Sequence, residues 1–208
     1  MNRKIGIYAS IMNVLAVIGF SLCMILGTDY GSYVVCMFIA FSFVPMMSAF
    51  CHYCSPEKKV AGYIAVAFSA IYTMFILTVY FAQVTAVVHD GLTGQAAQIL
   101  DYSKFGLFFS YDLLGYGLMA LSTFFAGLTI DARSKGDKWL KALLLFHGIF
   151  FVSCFLIPMF GWFGSDMQHK EWIGVAVLEF WCIYFIPVGL LSVSHFRNKT
   201  KNRVFSTF

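Results

Sequence analysis

The stretch FGLFFSYDLLGYGLMALSTFFAGLTI, residues 105–130, contains one charged side chain, Asp112, among its 26 residues. An α-helix needs about 20 consecutive, mostly apolar residues to cross the hydrocarbon layer of a membrane. The stretch meets that length, and lipid offers no hydrogen-bond partner to its backbone, so it must form a helix that closes its own hydrogen bonds. It therefore predicts a transmembrane helix.

The rest of the chain repeats this pattern. Of its 208 residues, 60% are apolar and 12% are charged, and the mean hydropathy is +0.79, which is unlike a soluble domain. Connections are short, and residues 1–208 are expected to form one all-α domain, a bundle of six transmembrane helices. The longest connection, residues 91–104, includes a short interfacial helix predicted at 96–100. The six predicted spans, numbered in chain order, are residues 5–26, 32–54, 60–89, 105–130, 140–163 and 172–196.

Lysine and arginine residues lie mostly on one side of the predicted spans. Twelve of them fall near the two termini or in the connections after the second and fourth spans, whereas only Lys104 and Lys170 fall on the other side. Such residues concentrate in cytoplasmic loops, so both termini are expected to be cytoplasmic. The net charge of +4 follows from this bias and favours contact with anionic lipids, not with nucleic acids.

The six cysteines indicate neither a metal site nor a disulfide framework. CHYC, at residues 51–54, holds the one closely spaced pair of cysteines, and a zinc site needs about four ligands, for which a second pair is missing. The sequence also lacks the motifs of metalloproteases, serine hydrolases and phosphate-binding loops. We therefore predict no metal and no cofactor, and the sequence leaves open whether the protein is an enzyme.

Two carboxylates lie inside the predicted spans, and no lysine or arginine shares the central part of a span with them. Asp112 lies seven residues into the fourth span and Glu179 seven residues into the sixth, counted from the same side of the membrane. A helix rises about 1.5 Å per residue, which places both roughly 10 Å below that boundary. Charged groups at such depth cost about 3 kcal/mol or more and are candidates for function.

Other polar groups reach the same depth in the outer half of the bundle, the half away from the predicted cytoplasmic side. Gln83 lies six residues before the end of the third span, and Tyr80 lies about one turn deeper. Small and polar residues, including Tyr116, form one face of the helix that bears Asp112, and such a face typically packs against another helix. We therefore predict a ligand-binding pocket in the outer half, formed by Tyr80, Gln83, Asp112, Tyr116 and Glu179.

A second polar set is predicted nearer the cytoplasmic side. Asn13 lies eight residues into the first span, and His147 lies seven or eight residues into the fifth. A lone histidine on an apolar helix is more often a core residue with satisfied hydrogen bonds than a ligand, although the functional share rises in a membrane. Asn13 is the candidate partner of His147, and a pair of this kind would be structural.

The predicted pocket supports several functions. The leading hypothesis is a bundle that binds or carries a small cation, an amine or a lipid-like molecule, because a carboxylate without a fixed partner supplies the missing charge. An alternative is a membrane enzyme that acts on a lipid or isoprenoid, with Asp112 or Glu179 as general acid or base. A further alternative is that the carboxylates only tie helices together through hydrogen bonds. A last alternative is a protein of an interaction or immunity type without a small ligand. Membrane lipids are expected partners in each case, and the oligomeric state is open.

Residues 111–148, YDLLGYGLMALSTFFAGLTIDARSKGDKWLKALLLFHG, resemble a segment of small bacterial six-helix membrane proteins of unknown function. In that segment a tyrosine-aspartate pair opens a helix, a basic turn with a glycine follows, and a second apolar helix begins. The resemblance implies a six-helix bundle in a bacterial plasma membrane, that is, the inner membrane. It implies no activity.

Overall fold

The computed structural model describes residues 1–161 and 171–199, and every regular element within them is helical. Six helical segments are long and apolar enough to cross a membrane, which confirms an all-α fold with six candidate spans. A π-helical turn, Gln83–Val87, extends the third of them. The α-helices are α1 (Asn2–Ile25), α2 (Asp29–Tyr53), α3 (Lys59–Ala82), α4 (Gly94–Leu100), α5 (Leu107–Thr129), α6 (Lys135–His147), α7 (Phe150–Met159) and α8 (Glu171–Asn198).

The fifth span is built from two helices, α6 and α7, within Lys135–Met159. It begins at Lys135 because Ser134 caps it: the Ser134 hydroxyl accepts a hydrogen bond from the Asp137 amide, and the Asp137 carboxylate accepts one in return. Capping thus moves the start ahead of the predicted residue 140. The predicted end at residue 163, together with Lys170, Lys201 and Arg203, lies outside the described residues.

The spans pack as a closed ring. In order around it, α1 packs against α2, α2 against α3, α3 against α5, α5 against α6 and α7, α6 against α8, and α8 against α1. Glycines allow two of the close contacts: a Cβ on Gly189 would lie 2.4 Å from Val14 Cγ2, and one on Gly62 would lie 2.8 Å from Cys51 Sγ. Small residues at such positions let membrane helices approach closely.

The first and last described segments meet at one end of the bundle, which we call the basic end. Asn2 Nδ2, at the start of α1, donates a hydrogen bond to the His52 ring at 3.0 Å. His195, near the end of α8, pairs with Asp137 in the first turn of α6 at 2.6 Å. The opposite end carries the connections formed by residues 26–28 and 88–106.

Residues 94–106, which we call the cap loop, fold over that opposite end. The loop starts with α4, which confirms the short helix predicted at 96–100. The chain then turns into α5 through Phe105, which has a left-handed backbone conformation with φ 52°. Glycine is required at the next position, because a Cβ on Gly106 would lie 1.9 Å from the Gln98 carbonyl oxygen.

Candidate functional site

Asp112, near the start of α5, is 3% exposed. Its Oδ2 accepts a hydrogen bond from Tyr102 Oη at 3.4 Å, and the Tyr80 hydroxyl interacts with the same carboxylate. Its Oδ1 is buried and has no hydrogen-bond partner among residues 1–161 and 171–199. Asp112 is thus buried inside the bundle, and its Oδ1 forms no direct hydrogen bond with the described residues.

Aromatic rings surround this carboxylate. Tyr33 of α2 stacks on Tyr80 of α3 with ring centroids 5.5 Å apart, and Tyr102 of the cap loop lies 6.0 Å from each of them. Tyr72 and Tyr116 form a further pair with centroids 5.8 Å apart. We call these residues the tyrosine cluster. Their ring faces are negative in potential and attract cations.

Tyr72 supplies a second unpaired polar atom to this cluster. Its side chain is fully buried, and its hydroxyl has no hydrogen-bond partner within the described part of the chain. Tyr72 is nonetheless close enough to interact electrostatically with Asp112. Leaving a buried polar group unpaired costs about 1–3 kcal/mol. Two such atoms in one cluster therefore indicate a bonding partner that the described side chains do not supply.

Gln83 lies beside the cluster, but its side-chain amide forms its hydrogen bonds with backbone groups. Its Nε2 donates hydrogen bonds to the carbonyl oxygens of Val79 and Leu100, at 3.2 and 2.8 Å, and its Oε1 accepts one from the Tyr102 amide at 3.0 Å. The predicted pocket residue Gln83 therefore acts as a clamp that holds Tyr102 over Asp112. It is also the first residue of the π-helical turn, a distortion that often occurs at functional sites.

Glu179 has different neighbours from Asp112. It is partly exposed, and its Oε2 accepts a hydrogen bond from Ser21 Oγ on α1 at 2.5 Å, while its Oε1 is unpaired among the described residues. Asp112, in contrast, interacts with α3 and the cap loop. Cys182 interacts with Glu179, and Cys36 with both Cys182 and Asp112. Glu179 thus belongs to the contact between α1 and α8, and a single pocket that holds both carboxylates stays a prediction.

His147, of the second polar set, is 1% exposed and fully bonded. The Trp181 indole donates a hydrogen bond to His147 Nε2 at 3.0 Å. Because an indole can only donate, the proton of the imidazole is on Nδ1, which lies 2.8 Å from Thr123 Oγ1. Thr123 in turn donates to the Ala120 carbonyl oxygen at 2.8 Å. This network joins α5, α6 and α8.

Asn13, the predicted partner of His147, bonds elsewhere. Its Nδ2 donates hydrogen bonds to Ser42 Oγ at 3.0 Å and to the Ile39 carbonyl oxygen at 3.4 Å, both on α2. The ring order explains this difference, because α1 packs between α8 and α2 and is not a neighbour of α6. The predicted pair of Asn13 with His147 is therefore wrong.

Three members of the tyrosine cluster were not predicted from the sequence: Tyr33, Tyr72 and Tyr102. Tyr102 lies between two predicted spans, so a depth counted along a span does not place it. For Tyr33 the sequence offers only a weak indication, because Cys36 follows it by about one turn on the same face of α2. In the structure, the Cys36 thiol lies 3.7 Å from Tyr116 Oη. Whether that face of α2 belongs to the site depends on which helix packs against it, and a local sequence pattern does not show this.

An apolar groove opens on the outer surface of the bundle along α6 and α7. Its volume is about 590 Å³, and its wall runs along α6 and α7, from Phe146 to Ile157, and reaches Phe180 of α8. Helix α7 packs against α5, and Cys154 of α7 interacts electrostatically with Asp112. One wall of the groove is thus the helix that also borders the Asp112 site.

No protein-family model, no curated protein and no solved structure matches this chain. The resemblance of residues 111–148 to bacterial six-helix membrane proteins therefore stays a prediction. The residues and distances of the site are the basis on which a function can be assigned.

Proposed function

We propose that this chain is a multi-pass protein of the plasma membrane that binds a small organic cation, or a lipid-like molecule with an amine group, at Asp112. The six apolar spans support the membrane assignment. Basic residues cluster at the basic end, as they do in cytoplasmic loops, and this supports placing both termini in the cytoplasm.

The unpaired Oδ1 of Asp112 carries the proposal. Buried charges in proteins are normally paired, and the buried residues of the described chain include no lysine or arginine. An ammonium group on a ligand would donate a charge-assisted hydrogen bond to this oxygen. The tyrosine rings of the cluster would add attraction for the same positive charge wherever a ring face borders the ligand.

The unpaired hydroxyl of Tyr72 and the apolar groove narrow the ligand class. The hydroxyl can donate a hydrogen bond to an oxygen of a ligand held at Asp112, which favours amines that also carry a hydroxyl or ether group. The groove beside α7 offers an apolar surface to a hydrocarbon chain. A lipid-like amine thus matches more of the site than a bare metal ion does, because metal ions need several oxygen or nitrogen ligands.

Thermal unfolding of the purified protein in detergent micelles tests this assignment. Choline, tetraethylammonium and sphingosine serve as probes for wild type, Asp112→Asn and Tyr72→Phe. We expect at least one probe to raise the unfolding midpoint of wild type, with a stabilisation of about 2.7 kcal/mol at a concentration 100-fold above its Kd. Asp112→Asn should lose this stabilisation, and Tyr72→Phe should retain only part of it.

Asp90→Asn is the matched control, because Asp90 is an exposed carboxylate at the same end of the bundle. It removes the same charge and should respond to the probes as wild type does. The proposal fails if none of the probes stabilises wild type more than Asp112→Asn. In that case Asp112 only bonds helices to one another.

A further inference from the structure

A cavity of about 280 Å³ opens at the basic end, which is the end of the bundle away from the cap loop and the tyrosine cluster. It lies where α2 and α8 end, α6 begins and the segment after α5 passes. Asp131, Arg133, Asp137, His195 and Lys199 contribute charged or ionisable groups to its lining. The volume is just below the range of about 300–1,000 Å³ for pockets that hold drug-sized ligands, so the cavity suits a small polar group.

Both carboxylates of the cavity already have partners. Asp131 pairs with Lys58, and this hydrogen-bonded ammonium holds the pKa of the Asp131 carboxyl below its usual range. Asp137 uses both oxygens: Oδ1 is paired with His195 Nδ1 at 2.6 Å, and Oδ2 accepts a hydrogen bond from Ser134 Oγ at 2.8 Å. The charge of Asp131 is thus balanced by Lys58, and both oxygens of Asp137 are occupied by hydrogen bonds from His195 and Ser134.

Two cations in the same lining, Arg133 and Lys199, interact with Asp131 only at longer range and form no direct ion pair among the described residues. Lys199 Nζ donates one long hydrogen bond, 3.4 Å, to the Tyr53 carbonyl oxygen, which leaves other ammonium protons for a ligand. The planar fork of an arginine guanidinium matches two oxygens of a phosphate, and a lysine adds a point charge.

We propose that this cavity binds a phosphate group through Arg133 and Lys199. Such a group is carried by the anionic phospholipids of the membrane and also by free phosphate-bearing solutes. The place of the cavity, at the ends of the spanning helices, is the depth at which lipid headgroups lie, and basic pockets between such helices bind anionic headgroups.

Nanodiscs that contain the full-length chain test the lipid source. The nanodiscs are made of phosphatidylcholine alone or of phosphatidylcholine mixed with phosphatidylglycerol, and native mass spectrometry measures the phosphatidylglycerol that stays bound to the released protein. We expect wild type to retain phosphatidylglycerol. Arg133→Gln or Lys199→Gln should each weaken retention about fivefold, and the double variant about 25-fold. Both side chains are at the surface of the fold, so these variants should still fold.

Lys138→Gln is the matched control, since Lys138 is exposed near the same end and does not line the cavity. It should retain the lipid as wild type does. Equal losses in Lys138→Gln and Arg133→Gln would overturn the proposal, because they would show a general attraction of basic residues to anionic lipid.

A second arm tests the soluble source, by titrating inorganic phosphate into the protein in detergent micelles and following its unfolding midpoint. A rise that the double variant lacks, without lipid retention, assigns the cavity to a soluble phosphate. No effect in either arm overturns the site. The readouts for this cavity are phosphatidylglycerol and inorganic phosphate, and those for Asp112 are cationic probes, so the two proposals stand or fall separately.

Discussion

His147 and Asp112 differ in how many of their side-chain polar atoms form hydrogen bonds. The surroundings of both involve the same face of α5, on which Thr123 follows Asp112 by eleven residues, or about three turns. Both nitrogens of the His147 ring are bonded, to Trp181 and Thr123, whereas one oxygen of Asp112 has no partner among the described residues. Complete bonding is typical of a structural network, whereas an unpaired buried atom calls for a partner that the described side chains do not supply.

The two sites also differ in what encloses them. Three spanning helices surround His147, and each is held in the ring by its neighbours. Asp112 is covered on one side by Tyr102 of the cap loop, which Gln83 holds through the backbone. Loops open at lower free energy than packed helices do, so access to Asp112 requires a smaller rearrangement than access to His147.

The largest effect is expected when the His147 network is removed. We expect His147→Ala to lower the free energy of unfolding by about 3 kcal/mol, because it leaves a cavity and an unpaired Trp181 N–H. Denaturant titration in micelles, followed by tryptophan fluorescence, measures this change. His89→Ala is the control, since His89 is exposed and its loss should change stability by less than about 0.5 kcal/mol. A similar, small effect in both variants would remove the basis of the comparison.

An intermediate effect is expected when the clamp on the cap loop is removed. Gln83→Leu removes all three hydrogen bonds of the amide, and we expect the free energy of unfolding to fall by about 2 kcal/mol. Hydrogen exchange at residues 100–105 should become at least about tenfold faster, which corresponds to 1.4 kcal/mol of local opening. Gln95→Leu, at an exposed position of α4, should leave both unchanged. Unaltered exchange in Gln83→Leu would show that the loop is held by other contacts.

The smallest effect on stability is expected at Asp112 itself. Asn has the same shape and keeps an oxygen acceptor for the hydroxyls of Tyr102 and Tyr80. The Oδ1 atom of Asp112 has no hydrogen-bond partner among the described residues that the substitution would remove. We expect Asp112→Asn, without a probe, to stay within about 1 kcal/mol of wild type in the same denaturant titration. A loss as large as that of His147→Ala would reassign Asp112 to the structural class.

The six candidate spans could be predicted from the sequence because a backbone segment in lipid must form its hydrogen bonds internally, as a helix does. The sequence was less informative about the site, since the helical rise gives the depth of a residue but not the helix that faces it. The Tyr80 hydroxyl interacts with Asp112, whereas Glu179, at a similar predicted depth, bonds to Ser21 of α1. The order of helices in the ring depends on contacts between distant residues, such as Gly189 with Val14, that no local pattern contains.

The position of Tyr102, in a loop, likewise could not be predicted from a local sequence pattern. Its ring reaches Asp112 because Gln83 binds its amide and because Gly106 passes close to Gln98. Each of these contacts joins segments that are separate in the chain. Hydropathy describes only how much each segment prefers lipid, so it could not predict that a tyrosine outside the spans would complete the cluster.

The unequal construction of the two halves has a mechanical consequence. Toward the basic end the interior is filled by buried side chains, among them Phe50, Leu144 and Phe185, whereas the cap loop covers the other end. A ligand bound at Asp112 would therefore enter and leave at the same end of the bundle, the end covered by the cap loop. Exchange of the proposed ligand at one end only would suit a sensor or reservoir that releases its ligand on the side from which it was taken up.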